Sequence, residues 1–323
     1  MGYVEDLGLS VNYQMPGHVV LGVRGQGVLG RKLPFGYQLN QLPPQFWAQQ
    51  GNLTADLPFA QYAGVANMKY PEGTIDWYGL TFEATKHYSN GLSLLSSFQW
   101  GKGIGIMGCE SNYMCGLSRS VGVYYSSDNF SGASPYDRMN FSFVYSLPFG
   151  AGRPFLQSGL GDKLFGNWIV SSVISWYSGI PFGVGDNQGS LNCFCGLAGR
   201  LNEVGNPNAA PHTLQEWFNP QAFARPAFGT IGKVGGMILQ GPATGMWNAE
   251  LLKTIHLGES HSVKISGEFF NATNTAQWGL PNTTFGTPGF GSISGPLISG
   301  LAGAGAAEAI AARLVQIGVH FYF

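Results

Sequence analysis

Four cysteines are the residues of this sequence with the clearest covalent chemistry. They stand in Gly-rich, loop-like stretches at Cys109, Cys115, Cys193 and Cys195. Their spacing lacks the two C-x2-C knuckles of a zinc ribbon, so the sequence favours disulfides formed in an oxidising compartment. Four cysteines allow three pairings, and the spacing does not choose between them. All four are therefore disulfide candidates that would staple loops.

Two glycine strings match the Gly-x-Gly-x-x-Gly fingerprint of dinucleotide sites, at residues 25–30 and 103–108. That site needs a strand before the string and a helix after it. A Pro/Asn-rich stretch follows the first string, and Cys-Glu-Ser-Asn follows the second. Neither pattern predicts a helix, so we expect no nucleotide cofactor.

The histidines and nucleophile patterns are equally weak as signs of catalysis. His256 and His261 flank a turn and could ligate a metal together, but histidines on a surface turn are the simpler interpretation. No His-Glu-x-x-His pair and no Gly-x-Ser-x-Gly elbow occurs in the chain. The sequence predicts no catalytic residue, no metal site, no cofactor and no enzyme activity.

Five charged or titratable residues share the polar side of alternating segments near the C-terminus. These segments are residues 247–257, 262–271 and 313–323, in which polar and apolar residues alternate. Such residues could line a solute path, or they could only solvate a lumen and contact a plug domain. The lumen-facing polar candidates are Glu250, His256, Lys264, Glu268 and His320.

The last eleven residues show the element that would position such groups. Val315, Ile317 and Val319 point to one side with Phe321 and Phe323, while Gln316, Gly318, His320 and Tyr322 point to the other. At about 3.3 Å per residue this strand is long enough to cross a bilayer at a tilt of about 45°. An apolar face on lipid and a polar face on a lumen is the pattern of an outer-membrane barrel.

Composition agrees with a chain of many turns and strands. Charged residues make up 10% of the sequence, aromatic residues 14%, and there are 49 glycines. The net charge of −1 offers no electrostatic case for binding nucleic acid. Met1 is not followed by the basic start and apolar core of a signal peptide. We therefore expect the chain to be a piece of a longer protein.

Connections alternate between short and long along the chain. Short turns are expected near residue 16, at Asn90-Gly91, at 150–166 and at 258–261, and long loops at 28–75, 101–135, 183–246 and 273–312. A short helix is expected around residues 213–218, capped by Thr213. Outer-membrane barrels place short turns in the periplasm and long loops outside. The sequence thus predicts an all-β fold, a transmembrane antiparallel β-barrel that is partial, with about nine strands.

Several motifs resemble the C-terminal barrel of Oar-like TonB-dependent receptors of Acidobacteria and related Gram-negative bacteria. They include Trp-Phe-Asn-Pro-Gln-Ala-Phe at 217–223, Trp-Tyr-Ser-Gly-Ile-Pro-Phe at 176–182 and Glu-Phe-Phe-Asn-Ala-Thr-Asn at 268–274. The terminal Phe323, with Phe321 and Tyr322, is similar to the aromatic ending by which the assembly machinery recognises such barrels. The resemblance implies that residues 1–323 are the C-terminal segment of a receptor barrel, without the signal peptide and plug domain.

That resemblance also implies a location and partners. We expect the cell outer membrane, contact with its lipid and with the barrel-assembly machinery, and a TonB complex reached only through a plug upstream of this chain. External loops would bind an unidentified solute that passes through the lumen. Two alternatives share much of the pattern: a passive porin or adhesin-like surface barrel, and a soluble all-β carbohydrate-binding protein with a second apolar layer.

Overall fold

The computed structural model describes most of the chain. The described residues are 1–38, 40–62, 67–106, 119–120, 137–194, 199–236, 238–258, 261–296 and 312–323.

Nine long strands form one antiparallel sheet in which every strand pairs with its neighbours in sequence. β1 and β9 are the two end strands, and in the described part of the chain they are not paired with each other. The sheet is therefore an open, partial barrel. The strands are β1 Tyr3–Met15, β2 Val19–Gln38, β3 Asn67–Ser89, β4 Leu92–Ile106, β5 Asp137–Ser146, β6 Trp168–Tyr177, β7 Thr244–His256, β8 Ser262–Phe270 and β9 Leu314–Tyr322.

The tight turn between β3 and β4 follows directly from its two residues. Asn90 and Gly91 have φ angles of 51° and 81°. This left-handed conformation is the one that a two-residue hairpin turn requires, and Asn-Gly adopts it at little cost. The hairpin predicted at this position is confirmed.

The strands are longer than the alternation of side chains indicates. β2 contains 20 residues and β3 contains 23, and they pair with each other from Val19–Lys86 to Gln38–Asn67. The expected loop at 28–75 is thus wrong at both ends, as is the start of the 101–135 loop, since β4 continues to Ile106. Backbone hydrogen bonding continues where glycine and proline interrupt the apolar pattern, with register shifts between Gly30 and Leu33.

Long and short connections leave opposite ends of the sheet. Residues 16–18, 90–91, 147–167 and 257–261 join strands at one end, and 39–66, 107–136, 178–243 and 271–313 join them at the other. The third short connection contains the α-helix α1, Gly159–Phe165. None of the helices in the described residues is long and apolar enough to cross a membrane.

Within their described residues, the long connections contain only short elements. Three are 3-10 helices, at Pro44–Phe46, Thr54–Asp56 and Pro220–Ala222. The two-residue strands are Arg119–Ser120, Pro181–Phe182, Gly185–Asp186, Asn202–Glu203, Phe223–Ala224, Leu239–Gln240 and Thr284–Phe285. The helix expected around Thr213 is wrong: Thr213 Oγ1 accepts from the Glu216 N–H at 3.2 Å, as a cap would, but no helix follows. Pro220 begins a 3-10 turn instead, and its fixed φ suits that position.

Nearly all of the buried apolar side chains in the described residues lie in the long connections and not in the sheet. Among the described residues, Val263 is the one buried hydrophobic residue on a long strand. The larger loop core consists of Phe182, Leu201, Phe218, Ala222, Phe223, Val234 and Leu239. The smaller loop core consists of Leu42, Trp47, Leu53, Leu57, Leu191 and Cys193.

Candidate functional site: the folded loops and the polar face

The larger loop core joins the 178–243 connection to the 271–296 part of the next one. Its centre is Phe218, whose ring lies 5.9 Å from Phe182, 5.8 Å from Phe223 and 5.1 Å from Phe290 between ring centroids. Edge-on and tilted aromatic contacts of this kind add stabilisation beyond the apolar area that they bury. The backbone N–H of Trp217 also donates to the Gly291 carbonyl at 2.8 Å. Two consecutive loops are thereby held as one folded layer.

An ion pair between Asp186 and Arg225 fixes the edge of this core. The Asp186 side chain is 3% exposed, and its Oδ1 accepts from Arg225 Nη2 at 3.1 Å while Oδ2 accepts from Nε. The Arg225 guanidinium lies 5.5 Å from the ring centroid of Phe285. Its hydrogen bonds hold the pKa of Asp186 below its usual value although burial acts in the opposite direction. The same contact raises the pKa of Arg225.

The smaller loop core joins two connections that leave the sheet at separate places. Residues 40–57 follow β2, whereas Leu191 and Cys193 lie between β6 and β7. The indole N–H of Trp47 donates to the Leu42 carbonyl at 2.8 Å, and the Asn192 N–H donates to the Trp47 carbonyl at 3.1 Å. The β2–β3 connection therefore contacts the β6–β7 connection, although β4 and β5 lie between β3 and β6 in the sheet.

Of the four disulfide candidates, Cys193 is described by the structure. It is 1% exposed within the smaller loop core and is disulfide-bonded. Cys109, Cys115 and Cys195 lie outside the described residues. The stapling of loops by these cysteines, and their pairing, stay predictions.

The strand register brings the five polar candidates to one face of the sheet. Glu250 lies directly opposite Glu268, and Lys264 lies opposite His320. Ser171 Oγ donates to Glu250 Oε2 at 2.9 Å. His256 lies at the end of β7, opposite Ser262. This arrangement can bind polar groups along the face, and the assignment of the face to a lumen stays a prediction.

Among the C-terminal aromatic residues, Tyr322 lies on the polar face and Phe321 on the apolar face. Lys264 Nζ lies 4.5 Å from the centroid of the Tyr322 ring, a cation–π contact that links β9 to β8. Phe321 pairs with Val263 and is 69% exposed. Phe323 follows the end of β9. Their part in barrel assembly stays a prediction.

The polar face also contains Trp77, which lies within β3 and not at its end, since this strand begins at Asn67. Its ring covers Gly79, Gly101 and Gly103. A Cβ atom added at any of these three glycines would lie only 2.3 to 3.1 Å from the nearest atom of the ring. Glycines on two strands therefore make room for a flat indole on the polar side.

The described residues show no arrangement for metal or nucleotide chemistry. No group of three or more His, Cys, Asp and Glu in this part of the chain could hold a metal ion. The first glycine string lies inside β2, and residues 103–106 of the second lie in β4, so no helix follows either within the described residues.

Sequence patterns did not indicate the two loop cores, the Asp186–Arg225 pair or α1. The Trp-Phe-Asn-Pro motif at 217–220 was the one local signal, since it supplies Phe218 at the centre of the larger loop core. Asp186 and Arg225 are 39 residues apart in the sequence, and the two parts of the smaller loop core are still farther apart. A periodic pattern of side chains cannot reveal contacts between such distant residues.

These features together define a segment of an outer-membrane barrel. The sheet is open and antiparallel, one of its faces is apolar and the other polar, and the described parts of the long loops fold at one end. The profile of the family described as outer membrane beta barrel domain matches residues 1–316. The chain belongs to this family, and its location is the outer membrane of a Gram-negative bacterium. The soluble all-β alternative is thereby set aside.

Solved structures with a similar fold include outer-membrane transporters and receptors. The outer membrane transporter YddB from Escherichia coli is 9% identical, with a TM-score of 0.46. The ferric preacinetobactin receptor BauA from Acinetobacter baumannii is 10% identical, with a TM-score of 0.42. The pyoverdine receptor FpvA from Pseudomonas aeruginosa PAO1 is 10% identical, with a TM-score of 0.40.

Each of these three alignments covers 100% of this chain and between 29% and 33% of the other protein. The chain thus spans about a third of the length of these transporters and receptors. A comparison with curated protein sequences finds no match.

Proposed function

We propose that residues 1–323 are the C-terminal part of the barrel of an Oar-like TonB-dependent receptor. The barrel binds an unidentified solute with its long loops, and the solute then passes through the lumen. The motifs at 176–182, 217–223 and 268–274 support the Oar-like type, and membership of the outer-membrane barrel family supports the general class.

One observation carries the proposal: the described parts of three long loops, 39–66, 178–243 and 271–313, form a folded layer with its own apolar cores. The Leu42 N–H donates to the Cys193 carbonyl at 3.0 Å, so loops from different parts of the sheet hold each other. Such order costs conformational entropy, which buried contacts must offset. A surface of defined shape can recognise a ligand, whereas a passive pore needs only an open route. This favours a receptor over a porin.

In this proposal the chain performs no chemistry of its own. Solute binds at the outer surface, and a plug domain upstream of this chain moves when the TonB complex pulls on it. Polar groups such as Glu250, Lys264 and His320 solvate the path. Phe321, Tyr322 and Phe323 are the signal for the assembly machinery, and the apolar face contacts outer-membrane lipid.

The first test is the coding sequence upstream of Met1 in the same frame. A plug domain with further alternating strands supports the receptor. A stop codon directly upstream of a ribosome-binding site favours a separately made surface barrel.

The second test is functional and uses the intact outer-membrane protein in liposomes. A receptor closed by a plug gives no swelling in small sugars and binds the purified periplasmic domain of TonB. Rapid swelling without TonB binding indicates a passive porin and contradicts the proposal.

A further inference from the structure

The 147–167 connection exposes an unusual number of large apolar side chains for a connection between two strands. Leu160 is 76% exposed, Leu164 61%, and Phe165 56%. Phe155 and Leu156, which precede the helix, are 58% and 47% exposed. Apolar side chains so close together on a surface mark a contact with another molecule or with a membrane.

The orientation of α1 explains why these side chains face outward. Leu160 and Leu164 are four residues apart and so lie on the same side of the helix. Asp162 points back to its own connection, where its Oδ1 accepts from the Ala151 N–H at 2.9 Å. The Gly166 N–H donates to the Asp162 carbonyl at 2.8 Å and ends the helix. The polar side of α1 is thereby used within the connection, and the leucine side is left uncovered.

Two side chains of the sheet attach the end of α1 to the apolar face. Trp168 Nε1 donates to the Leu164 carbonyl at 2.8 Å. Lys253 Nζ donates to the carbonyls of Leu164 and Gly166 at 3.2 and 2.9 Å, and it lies 5.1 Å from the centroid of the Trp168 ring. Trp168 and Lys253 are opposite each other on β6 and β7, and Val170 and Leu251 form the next opposed pair on the same face.

This attachment decides which surroundings the helix meets. In the pleat, Trp168 and Lys253 share a face with Trp247, Leu251 and Ile265, which is the apolar face of the sheet. The apolar face of an outer-membrane barrel contacts lipid, and its short turns lie on the periplasmic side. A plug in the lumen would meet the opposite face. Strands that complete the barrel would pair with β1 and β9, whereas α1 lies between β5 and β6.

We propose that α1 is an interfacial membrane helix, which inserts Leu160 and Leu164 into the periplasmic leaflet of phospholipid. Its apolar side continues the lipid-facing band of the barrel. Lys163 and Lys253 supply positive charge at the depth of the phosphate groups, and Trp168 has the amphipathic ring that prefers this region. The helix anchors the barrel at a fixed depth and tilt. This inference concerns the barrel in its membrane and does not depend on solute transport.

The test uses the intact protein in its native outer membrane, with a photoreactive benzophenone amino acid at one position. Leu160 and Leu164 are replaced in separate variants. Val204, which is 62% exposed and lies in the long 178–243 connection, is the matched apolar control. Heat-modifiable migration in gels first establishes that each variant is folded.

Irradiation and mass spectrometry of the protein then give the result. We expect a phospholipid adduct at position 160 or 164 in roughly tenfold excess over position 204, because a side chain within the leaflet is surrounded by acyl chains. A dominant cross-link to another protein would show that α1 binds a protein partner and would overturn the proposal. Phospholipid adducts no more abundant than at position 204 would overturn it as well.

Discussion

The backbone N–H of Leu42 donates to the carbonyl oxygen of Cys193 at 3.0 Å. This hydrogen bond joins residues that leave the sheet after β2 and after β6, and both residues lie in the smaller loop core. The described parts of these two long loops are therefore joined in one layer. Single changes in that layer should have local effects that can be measured separately from the folding of the barrel.

Replacing Arg225 by Ala should loosen the 178–243 connection. The change leaves the carboxylate of Asp186, whose side chain is 3% exposed, without its cation. Loss of hydrogen bonds to this carboxylate is destabilising, so amide exchange in this connection should be roughly tenfold faster. Hydrogen exchange with mass spectrometry measures this. Lys233→Ala removes an exposed charge from the same connection, and an equal effect there would refute the role of the pair.

The same pair predicts a loss of loop order in acid. The folded-state pKa of Asp186 lies below its unfolded value, so the contribution of the pair is fully present above about pH 4. This stabilisation is lost as the pH falls from about 4 through the lowered folded-state pKa of Asp186. Protection of residues 178–236 from exchange should therefore decline in this window, after correction for the pH dependence of intrinsic exchange. The Arg225→Ala variant should lack this decline; if it declines equally, another group is responsible.

Replacing Trp47 by Ala should open the smaller loop core. Trp47 is 6% exposed and donates to the Leu42 carbonyl, so the variant loses a buried ring and leaves a cavity. Changes of this kind cost about 3–5 kcal/mol. Limited proteolysis should cut within residues 40–62 while heat-modifiable migration of the barrel is kept. Phe228→Ala, which removes a 48% exposed ring from another loop, is the control and should be nearly silent.

Peptide mapping without reduction should find Cys193 in a disulfide. The expected product joins a peptide with Cys193 to one that contains Cys109, Cys115 or Cys195. Reduction should then weaken the smaller loop core, where Cys193 is buried, by about 2–4 kcal/mol. Recovery of an alkylated, free Cys193 from unreduced protein would contradict this prediction.

Two neighbouring residues of β9 provide a matched test of the faces of the sheet. Ile317 lies on the apolar face opposite Gly267, and Gln316 lies on the polar face opposite Glu268. A lysine on the lipid face near the middle of a membrane strand costs about 2–4 kcal/mol, whereas lumen positions tolerate charge. Ile317→Lys should reduce the amount of folded protein in the outer membrane, and Gln316→Lys should not. A larger loss with Gln316→Lys would reverse the assignment of the faces.

The alternation of side chains was enough to predict the sheet, because the period of two is a local property of each strand. Val315, Ile317 and Val319 indicate one apolar face by themselves, and Asn90-Gly91 indicates its turn without reference to any other segment. The terminal strand, the hairpins and the division into short and long connections are confirmed on this basis.

The tertiary structure alone decided how the loops fold. Phe218 meets Phe290, Asp186 meets Arg225, and Trp47 packs beside Leu191, although none of these pairs has a periodic relation in the sequence. The lengths of β2 and β3, and the position of Trp77 over three glycines, also depend on a neighbouring strand. Backbone pairing and the burial of distant side chains are properties of the assembled chain, and glycine- and proline-rich segments carry no local pattern that specifies them.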